Sequence, residues 1–313
     1  MRFLITGGAG FLGVALANQL AAEGHSVRVL DDLSNGDRHR LHSSIHFTRG
    51  DVNDIPLLWS MLQDVDCVYH LAARVSVAQS LLYPRDYNST NVGGTVSLME
   101  AMRDAGIRRV VMASSGAIYG RQLLQPVNET MTPQPDSPYA VSKWAAEQYV
   151  HTIGGLWDIE TVALRIFNTY GPNQILPASH SPVIPYFMQQ LLTGGSLVVH
   201  GDGRQSRDFI YLDDVIAVLI KAATARNINR RVINIGSGQE TSVNELIKLL
   251  AQATGLVPNV IYNRQKEGGV RRLMADIRLA RDLLDFRPQV SLAEGLTMTL
   301  THDSRLRQAV VLA

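Results

Sequence analysis

The chain has 313 residues, of which 46% are hydrophobic and 18% are charged, and its formal net charge is +1. This composition is typical of a globular protein and is long enough for one large domain or two closely joined ones. The near-neutral charge provides no electrostatic surface for nucleic acid or an anionic membrane, so we predict neither as a partner. An anionic ligand must therefore be held by a local cluster of donors.

Three further features of the sequence predict a cytoplasmic protein without a metal site. The single cysteine, Cys67, has no partner for an internal disulfide. The first residues turn into glycines too early for the apolar region of a signal peptide, and no run of about 18 apolar residues marks a membrane span. His39 and His42 are three residues apart, but no Glu or Cys arrangement completes a metal site around them.

The first half of the chain alternates short β-rich runs with helical stretches. Most of these runs are apolar throughout, which is typical of a parallel sheet covered on both faces. Repeated strand–helix–strand units predict an α/β fold, a Rossmann doubly wound parallel sheet. The predicted strands are 2–6, 26–30, 45–48, 66–71, 109–113 and 160–165, and the predicted helices are 11–23, 90–105 and 138–151.

The pattern changes after about residue 168, where prolines and glycines accumulate in loop-like stretches. We predict an NAD-binding domain over 1–167, joined by a returning strand near 232–236, and a smaller, partly interleaved C-terminal substrate domain over 168–313. Further helices are predicted over 183–193, 212–225 and 242–254.

A glycine-rich turn, Thr6-Gly7-Gly8-Ala9-Gly10-Phe11-Leu12-Gly13, follows the first predicted strand and opens the first predicted helix. Glycines are needed where the backbone turns tightly, where a phosphate approaches a helix N-terminus, and where a helix packs close to a sheet. Asp31, at the end of the second strand, is placed to bind an adenosine ribose and to repel a 2′-phosphate, which favours NAD over NADP. The alternative is an ordinary strand–turn–helix junction. A phosphate-loop triphosphatase is excluded because no Gly-Lys-Ser/Thr follows the glycines.

A tyrosine and a lysine are spaced for one helix face in Tyr139-Ala140-Val141-Ser142-Lys143. A nearby ammonium favours the charged form of a phenol, so we expect Lys143 to lower the pKa of Tyr139 and make it a base. Ser115, at the end of the fifth strand, is placed to bond a reacting hydroxyl, since ligands of doubly wound sheets sit at the carboxyl ends of strands. A solvated helix face and a capping serine are the alternatives.

Together, the glycine turn, the strand end Ser-Ser-Gly-Ala-Ile-Tyr-Gly and the Tyr139/Lys143 pair resemble the extended short-chain dehydrogenase/reductase superfamily. Within it, the chain resembles the NAD-dependent epimerase/dehydratase family, closest to its UDP-glucose 4-epimerase branch, over nearly its whole length. The resemblance implies NAD as cofactor, a homodimer, and a catalytic group of Ser115, Tyr139 and Lys143. The cofactor contacts that it implies are Gly7, Gly10, Phe11, Leu12, Gly13, Asp31, Asp32, Asn35, Asp51, Val52, Leu71, Ala72, Ala73, Asn91, Ser114, Tyr139 and Lys143.

The residues after Ser115 favour one reaction among those of this family. Related dehydratases carry Asp-Glu at the next two positions and decarboxylating relatives a glutamate, whereas Gly116 and Ala117 cannot transfer protons. The resemblance therefore implies epimerisation at C4 of a UDP-hexose, of the glucose/galactose type or its N-acetyl form, through a transient 4-keto sugar. A UDP-glucuronate 4-epimerase, a 4-ketoreductase, a dehydrogenase and a non-catalytic NAD-binding protein stay open as alternatives.

The resemblance also implies substrate contacts, with Asn168 and Arg207 near the diphosphate. A surface ion pair with Asp208 or Asp213 is the alternative for Arg207. The chain departs from the family at Lys266, where an arginine is usual, and at Gly269, where an aspartate is usual. Leu273 falls where the family limits room at the sugar C2, and its intermediate size leaves glucose and N-acetylglucosamine open. The implied substrate contacts are Ser76, Ser115, Asn168, Arg207, Lys266, Arg271 and Leu273.

Overall fold

The computed structural model describes residues 1–176, 181–265 and 269–306. Its strands are β1 (Arg2–Thr6), β2 (Ser26–Asp31), β3 (His46–Arg49), β4 (Cys67–His70), β5 (Arg109–Ser115), β6 (Glu160–Ile166), β7 (Asn168–Tyr170), β8 (Ser196–His200), β9 (Ser206–Arg207), β10 (Phe209–Tyr211), β11 (Arg231–Ile235), β12 (Thr241–Ser242) and β13 (Asn259–Asn263).

The α-helices are α1 (Phe11–Ala22), α2 (Ile55–Leu62), α3 (Val77–Leu82), α4 (Pro84–Tyr87), α5 (Gly94–Asp104), α6 (Pro138–Leu156), α7 (Val183–Leu192), α8 (Leu212–Ala222), α9 (Val243–Thr254), α10 (Arg278–Leu284) and α11 (Leu292–His302). A π-helical turn, Asn88–Gly93, leads into α5, and 3₁₀ turns lie at Arg38–Arg40 and Gly116–Tyr119. The helix predicted over 90–105 therefore begins with this π-helical turn.

Within the described residues, the central sheet has seven parallel strands in the order β11-β6-β5-β4-β1-β2-β3. The chain runs outward from β1 through β2 and β3, then crosses to β4 and continues in the opposite direction. The strand order thus reverses between β1 and β4, and ligands of doubly wound sheets bind at the carboxyl ends beside such a reversal. This is the α/β architecture predicted from the sequence.

Helices cover both faces of the sheet, which explains why its strands are apolar throughout. One face packs against α1, α8 and α10, with Leu16, Leu20 and Leu219 fully buried. The opposite face packs against α2, α5 and α6, where Leu62, Met99 and Val150 are buried. Every residue of β4, in the middle of the sheet, is buried.

The second half of the chain both extends the central sheet and builds smaller units beside it. β11 pairs in parallel with β6, with Arg231 opposite Val162, and so forms one edge of the sheet. The pairs β7/β10, β8/β13 and β9/β12 lie outside that sheet. A third apolar cluster there joins α7, α9 and α11 around Met188, Leu250 and Leu296. The division into domains 1–167 and 168–313 stays a prediction.

Across the residues that the structure describes, no helix combines the length and the apolar character needed to cross a membrane.

Candidate active site

The glycine-rich turn lies at the carboxyl end of β1, beside that of β4. Gly7 has a φ of +72°, and a Cβ added there would lie 2.6 Å from the amide nitrogen of Ala72, so only glycine fits. Gly10 caps α1, and a Cβ at Gly13 would collide with the backbone of Gly7 and Gly8. The turn therefore leaves bare backbone at the N-terminus of α1, an arrangement that accommodates a diphosphate.

Asp31, the last residue of β2, is a buried carboxylate next to this turn. Its Oδ2 accepts a hydrogen bond from the Ala9 amide at 3.0 Å, and its Oδ1 accepts one from the Leu33 amide at 2.8 Å. Burial raises the pKa of Asp31, and the two amides oppose that shift. Each oxygen retains a lone pair for a ribose hydroxyl. The turn and Asp31 together fit the adenosine diphosphate part of NAD.

A buried histidine at the end of β4 connects neighbouring elements. The Nδ1 atom of His70 lies 2.8 Å from Thr6 Oγ1, and its Nε2 atom lies 2.9 Å from Thr95 Oγ1. Thr95 in turn donates to the backbone carbonyl of Asn91 at 2.6 Å. Burial, with a smaller contribution from the charge of Lys143, lowers the pKa of His70 to about 3. The ring is therefore neutral and serves as a clamp between β1, β4 and α5.

The side chain of Asn91 ties the loop after β4 to α6. Its Oδ1 accepts from the Arg74 amide at 2.8 Å, and its Nδ2 donates to the Arg74 carbonyl at 3.1 Å. The same Nδ2 donates to Ser142 Oγ at 2.9 Å. The half-buried residues 71–73 thus lie on a loop that is fixed to the helix carrying Tyr139.

Local sequence sets the start of α6 and so the position of its tyrosine. The Ser137 hydroxyl oxygen accepts from the Ala140 amide at 3.2 Å, and Pro138 occupies the first helical position, where its missing N–H costs nothing. Tyr139 and Lys143 follow four residues apart on one helix face and are 9% and 4% exposed. The structure therefore excludes a solvated face for this pair.

Ser115 is the last residue of β5 and lies near Tyr139. Its oxygen accepts from the Ala117 amide at 3.1 Å, which caps the following 3₁₀ turn. Ser115 also lowers the pKa of the Tyr139 phenol, against the effect of burial. Ser115 therefore both caps this turn and acts on the tyrosine.

The expected effect of Lys143 on Tyr139 is wrong. Burial raises the pKa of Tyr139, and the opposing contribution comes from Ser115 rather than from the lysine. The Lys143 ammonium instead donates to the Ala113 carbonyl at 2.6 Å, at the end of β5. Burial lowers the pKa of Lys143 to about 8, against an opposing contribution from Glu147. Lys143 is therefore charged at neutral pH and close to its titration range.

Sequence reasoning missed Glu147, which is completely buried one helical turn after Lys143. Its Oε2 accepts from Ser114 Oγ at 2.7 Å and from Arg165 Nε at 3.1 Å, and its Oε1 accepts from Arg165 Nη2 at 2.6 Å. The spacing Tyr139, Lys143, Glu147 was a signal for a shared helix face. The arginine partner on β6 had no comparable signal in the sequence.

Gly116 and Ala117 lie in the 3₁₀ turn directly after Ser115. A Cβ at Gly116 would lie 3.0 Å from the ring of Phe167, so the site has little room for a longer side chain there. Neither residue carries a group that can transfer a proton.

The candidate substrate contacts lie on the loops between the sheet and the second half of the chain. Ser76 caps α3 by accepting from the Gln79 amide at 3.3 Å. Asn168 is exposed at the start of β7, and Arg271 is also exposed. Leu273 is 7% exposed and packs in the apolar cluster that contains Phe167, beside the 3₁₀ turn after Ser115. Lys266 lies outside the described residues.

The guanidinium of Arg207 is held by the backbone and lies close to Gly269. Its Nη1 donates to the carbonyls of Ser206 and Val270 at 2.7 and 2.6 Å. Gly269 has a φ of +74°, and a Cβ there would lie 3.8 Å from Arg207 Nη2. Asp208 is completely buried and accepts bonds from Ser237, Gly238 and Ala275. The alternative of a surface ion pair with Asp208 is therefore wrong.

Other candidate cofactor contacts are already engaged within the chain. Asp32 Oδ1 accepts from the amide and hydroxyl of Ser34, and Asp51 Oδ1 accepts from the amide and side chain of Asn53. The Ser114 hydroxyl donates a hydrogen bond to Glu147. Their contacts with a cofactor stay predictions. Those of the half-buried Phe11 and Leu12, the buried Val52 and the exposed Asn35 also stay predictions.

A parallel sheet with a glycine-rich turn after β1, an acidic residue ending β2 and a tyrosine–lysine helix defines a Rossmann-fold dinucleotide-binding protein. The family model described as "NAD dependent epimerase/dehydratase family" matches residues 3–236. The chain belongs to this family, and its cofactor is NAD. This confirms the family, fold and cofactor predicted from the sequence.

Individual relatives are similar over almost their whole length. The UDP-glucose 4-epimerase of Mycolicibacterium smegmatis is 38% identical, over 96% of this chain and 97% of that protein. The crystal structure of UDP-glucose 4-epimerase from Thermotoga maritima with UDP-glucose has a TM-score of 0.92 at 34% identity, covering 96% and 98% of the two chains. The UDP-glucose 4-epimerase of Thermus thermophilus in complex with NAD has a TM-score of 0.88 at 32% identity, covering 96% and 98%.

Proposed function

We propose that this protein is a UDP-hexose 4-epimerase that interconverts the two C4 configurations of a UDP-glucose-type sugar. The observation that carries the proposal is the buried group of Ser115, Tyr139 and Lys143 at the end of β5, followed by Gly116 and Ala117. These residues provide for proton transfer at one hydroxyl and provide no second acid or base for elimination. The similarity to UDP-glucose 4-epimerases over nearly the full chain supports the same reaction.

In this proposal, Tyr139 takes the proton from the C4 hydroxyl of the sugar and later returns it. Bound NAD would supply the hydride acceptor for C4 and the donor to the opposite face of the 4-keto sugar. The Ser115 hydroxyl holds the sugar oxygen, since Ser115 is near enough to the phenol to lower its pKa. Lys143, charged at neutral pH, follows Tyr139 by one helical turn on the same face of α6.

The same proposal assigns the nucleotide end of the substrate to the second half of the chain. A guanidinium suits a diphosphate because its donors form a planar fork, and Arg207 is held in place by two carbonyls. Asn168, Arg271 and Lys266 would complete the anion site. Ser76, together with Leu273 beside Phe167, would border the sugar.

The direct test is incubation of the purified protein with UDP-glucose, UDP-N-acetylglucosamine and UDP-glucuronate separately, without added cofactor. Separation of the C4 epimers by anion-exchange chromatography shows which sugar turns over. We expect UDP-glucose to equilibrate with UDP-galactose without net change in absorbance at 340 nm. Net NADH formation, or no epimer from any of the three sugars, would contradict the proposal.

We also propose a homodimer, formed through the outer faces of α3 and α6. These two helices pack against each other, and their exposed side chains include Leu81, Leu82, Val141 and Tyr149. Exposed apolar residues grouped on neighbouring helices are typical of an interface with another copy. Light scattering after gel filtration should give a dimer for the wild type and a monomer for V141E. The control V257E changes another exposed valine and should leave the dimer unchanged.

A cytoplasmic location stays a prediction from the sequence, and fractionation of expressing cells tests it.

A further inference from the structure

A buried chain of polar groups lies behind the candidate catalytic residues. It begins at the Ser114 hydroxyl, passes through the carboxylate of Glu147 to the guanidinium of Arg165, and continues to the Tyr119 hydroxyl at 2.8 Å. The phenol donates to Asn234 Oδ1 at 2.7 Å. The chain joins β5, α6, β6 and β11 beneath the site.

We propose that Glu147 is a positioning residue of the site, whose carboxylate fixes the end of β5 in its working arrangement beside Lys143. The proposal rests on the function proposed above. It goes beyond that function because Glu147 touches neither sugar nor cofactor and acts through its neighbours.

Geometry places Glu147 between the two elements that carry the reactive groups. It lies one helical turn after Lys143 on α6, and its hydrogen bond fixes Ser114, the residue directly before Ser115. The Lys143 ammonium binds the Ala113 carbonyl at 2.6 Å, one residue earlier on β5. The successive residues 113 and 114, directly before Ser115, are therefore held by Lys143 and Glu147. A change at Glu147 displaces this strand end relative to the helix.

The negative charge of Glu147 also acts on Lys143. Lys143 is 4% exposed, and the anion of Glu147 is the group that opposes the effect of burial on its pKa. His70 on β4 is near enough for the charge of Lys143 to lower its pKa, and it is neutral; Arg165 pairs with Glu147. Without the carboxylate, Lys143 loses its proton at lower pH.

Arg165 requires a control of its own. Its side chain is 4% exposed, so removal of the Glu147 charge leaves a buried cation without its carboxylate partner, which destabilises a protein. The double variant E147Q/R165M removes both buried charges. It separates the loss of the Glu147 charge near Lys143 from the stability cost of a lone arginine.

The chain has four lysines, Lys143, Lys221, Lys248 and Lys266, so lysine labelled with ¹³C at Cε gives a spectrum simple enough to follow each ammonium through a pH titration. The Lys143 signal is identified by its absence in K143M. We expect it to titrate at lower pH in E147Q than in the wild type. The control E160Q, which neutralises a half-exposed carboxylate paired with Arg109, should leave it unchanged.

Turnover is the second readout. We expect kcat of E147Q to fall about 10- to 100-fold with little change in KM, as a misplaced but intact catalytic group would produce. E147Q/R165M should recover the melting temperature and recover neither kcat nor the Lys143 titration. If E147Q does not fold, the double variant decides the question with the same two readouts.

The proposal is overturned if Lys143 titrates in E147Q as in the wild type with kcat unchanged, or if E147Q/R165M restores both quantities. Absence of turnover by the wild type on every UDP-hexose would instead refute the proposed function, since the lysine titration needs no substrate.

Discussion

At the scale of single residues, the proposed chemistry depends on one phenol in an unfavourable environment. Burial raises the pKa of Tyr139, so the phenolate must be stabilised by what surrounds it. Ser115 is the residue that opposes this shift. The site thus combines a phenol that burial makes harder to deprotonate with an ammonium whose pKa depends on Glu147 of the same helix.

We expect Y139F to lower kcat for epimerisation about 10²- to 10⁴-fold, the usual contribution of a general acid–base group. The phenyl ring can keep its edge contact with Tyr87, whose ring centroid is 6.3 Å away, so folding and NAD binding should persist. Chromatography of the C4 epimers measures kcat, and the NAD retained after gel filtration measures binding. Y149F changes an exposed tyrosine of the same helix and should be fully active; an active Y139F would remove the assigned base.

The residues that the sequence did not predict were missed for one physical reason, their distance along the chain from their partners. Asp31 was predictable because a strand end, a turn and a helix start are read from adjacent positions. Arg165 is 18 residues from Glu147 and Asn234 is 115 residues from Tyr119, so these pairs exist only after the sheet has formed. The pKa of Tyr139 was predicted in the wrong direction because spacing on a helix does not report burial.

At the scale of elements, the site depends on β1, β4 and α5 being held together at their ends. The neutral ring of His70 makes this connection by bonding Thr6 and Thr95. Long, strongly patterned elements such as β1, α1 and α6 were predicted within a few residues. The two- and three-residue strands β7, β9, β10 and β12 were not, because such short segments have no periodicity and pair only with distant partners.

His70 gives the fold a specific sensitivity to acid. Its pKa is about 3 in the folded protein and near its ordinary value of about 6.5 in the unfolded chain. Between these values the unfolded chain binds a proton that the folded protein does not, so stability falls as the pH decreases through this window. From pH 7 to pH 5 this group should cost about 2 kcal/mol.

Urea unfolding of H70Q at the two pH values measures this effect. The variant should be less stable than the wild type at neutral pH, because it loses a clamp, yet should lose less stability on acidification. H46Q changes an exposed histidine and should show the pH dependence of the wild type. Equal losses on acidification in H70Q and the wild type would refute the assignment.

At the scale of the whole molecule, the end of the central sheet must be fixed to the loops that would hold the nucleotide. Asp208 makes this junction: it accepts from the Ser237 amide and hydroxyl at 2.6 and 2.7 Å, from the Gly238 amide at 2.9 Å and from the Ala275 amide at 3.1 Å. One carboxylate therefore joins the loop after β11 to the segment that carries Leu273.

We expect D208N to lower the free energy of unfolding by about 3 kcal/mol, because an amide cannot accept from all of these buried donors. Urea unfolding measures the loss. D213N, an exposed carboxylate on α8, should change stability by less than about 1 kcal/mol. A loss in D208N no greater than in D213N would show that Asp208 does not hold this junction.

The central claim is that the hydrogen at C4 of the sugar leaves as a hydride and returns to the same carbon without meeting water. Incubation of the purified protein with UDP-glucose tritiated at C4, without added cofactor, tests it most directly. We predict UDP-galactose that retains the tritium at C4 and water that contains none. Tritium released into the water, or a product that has lost it from C4, would contradict the account.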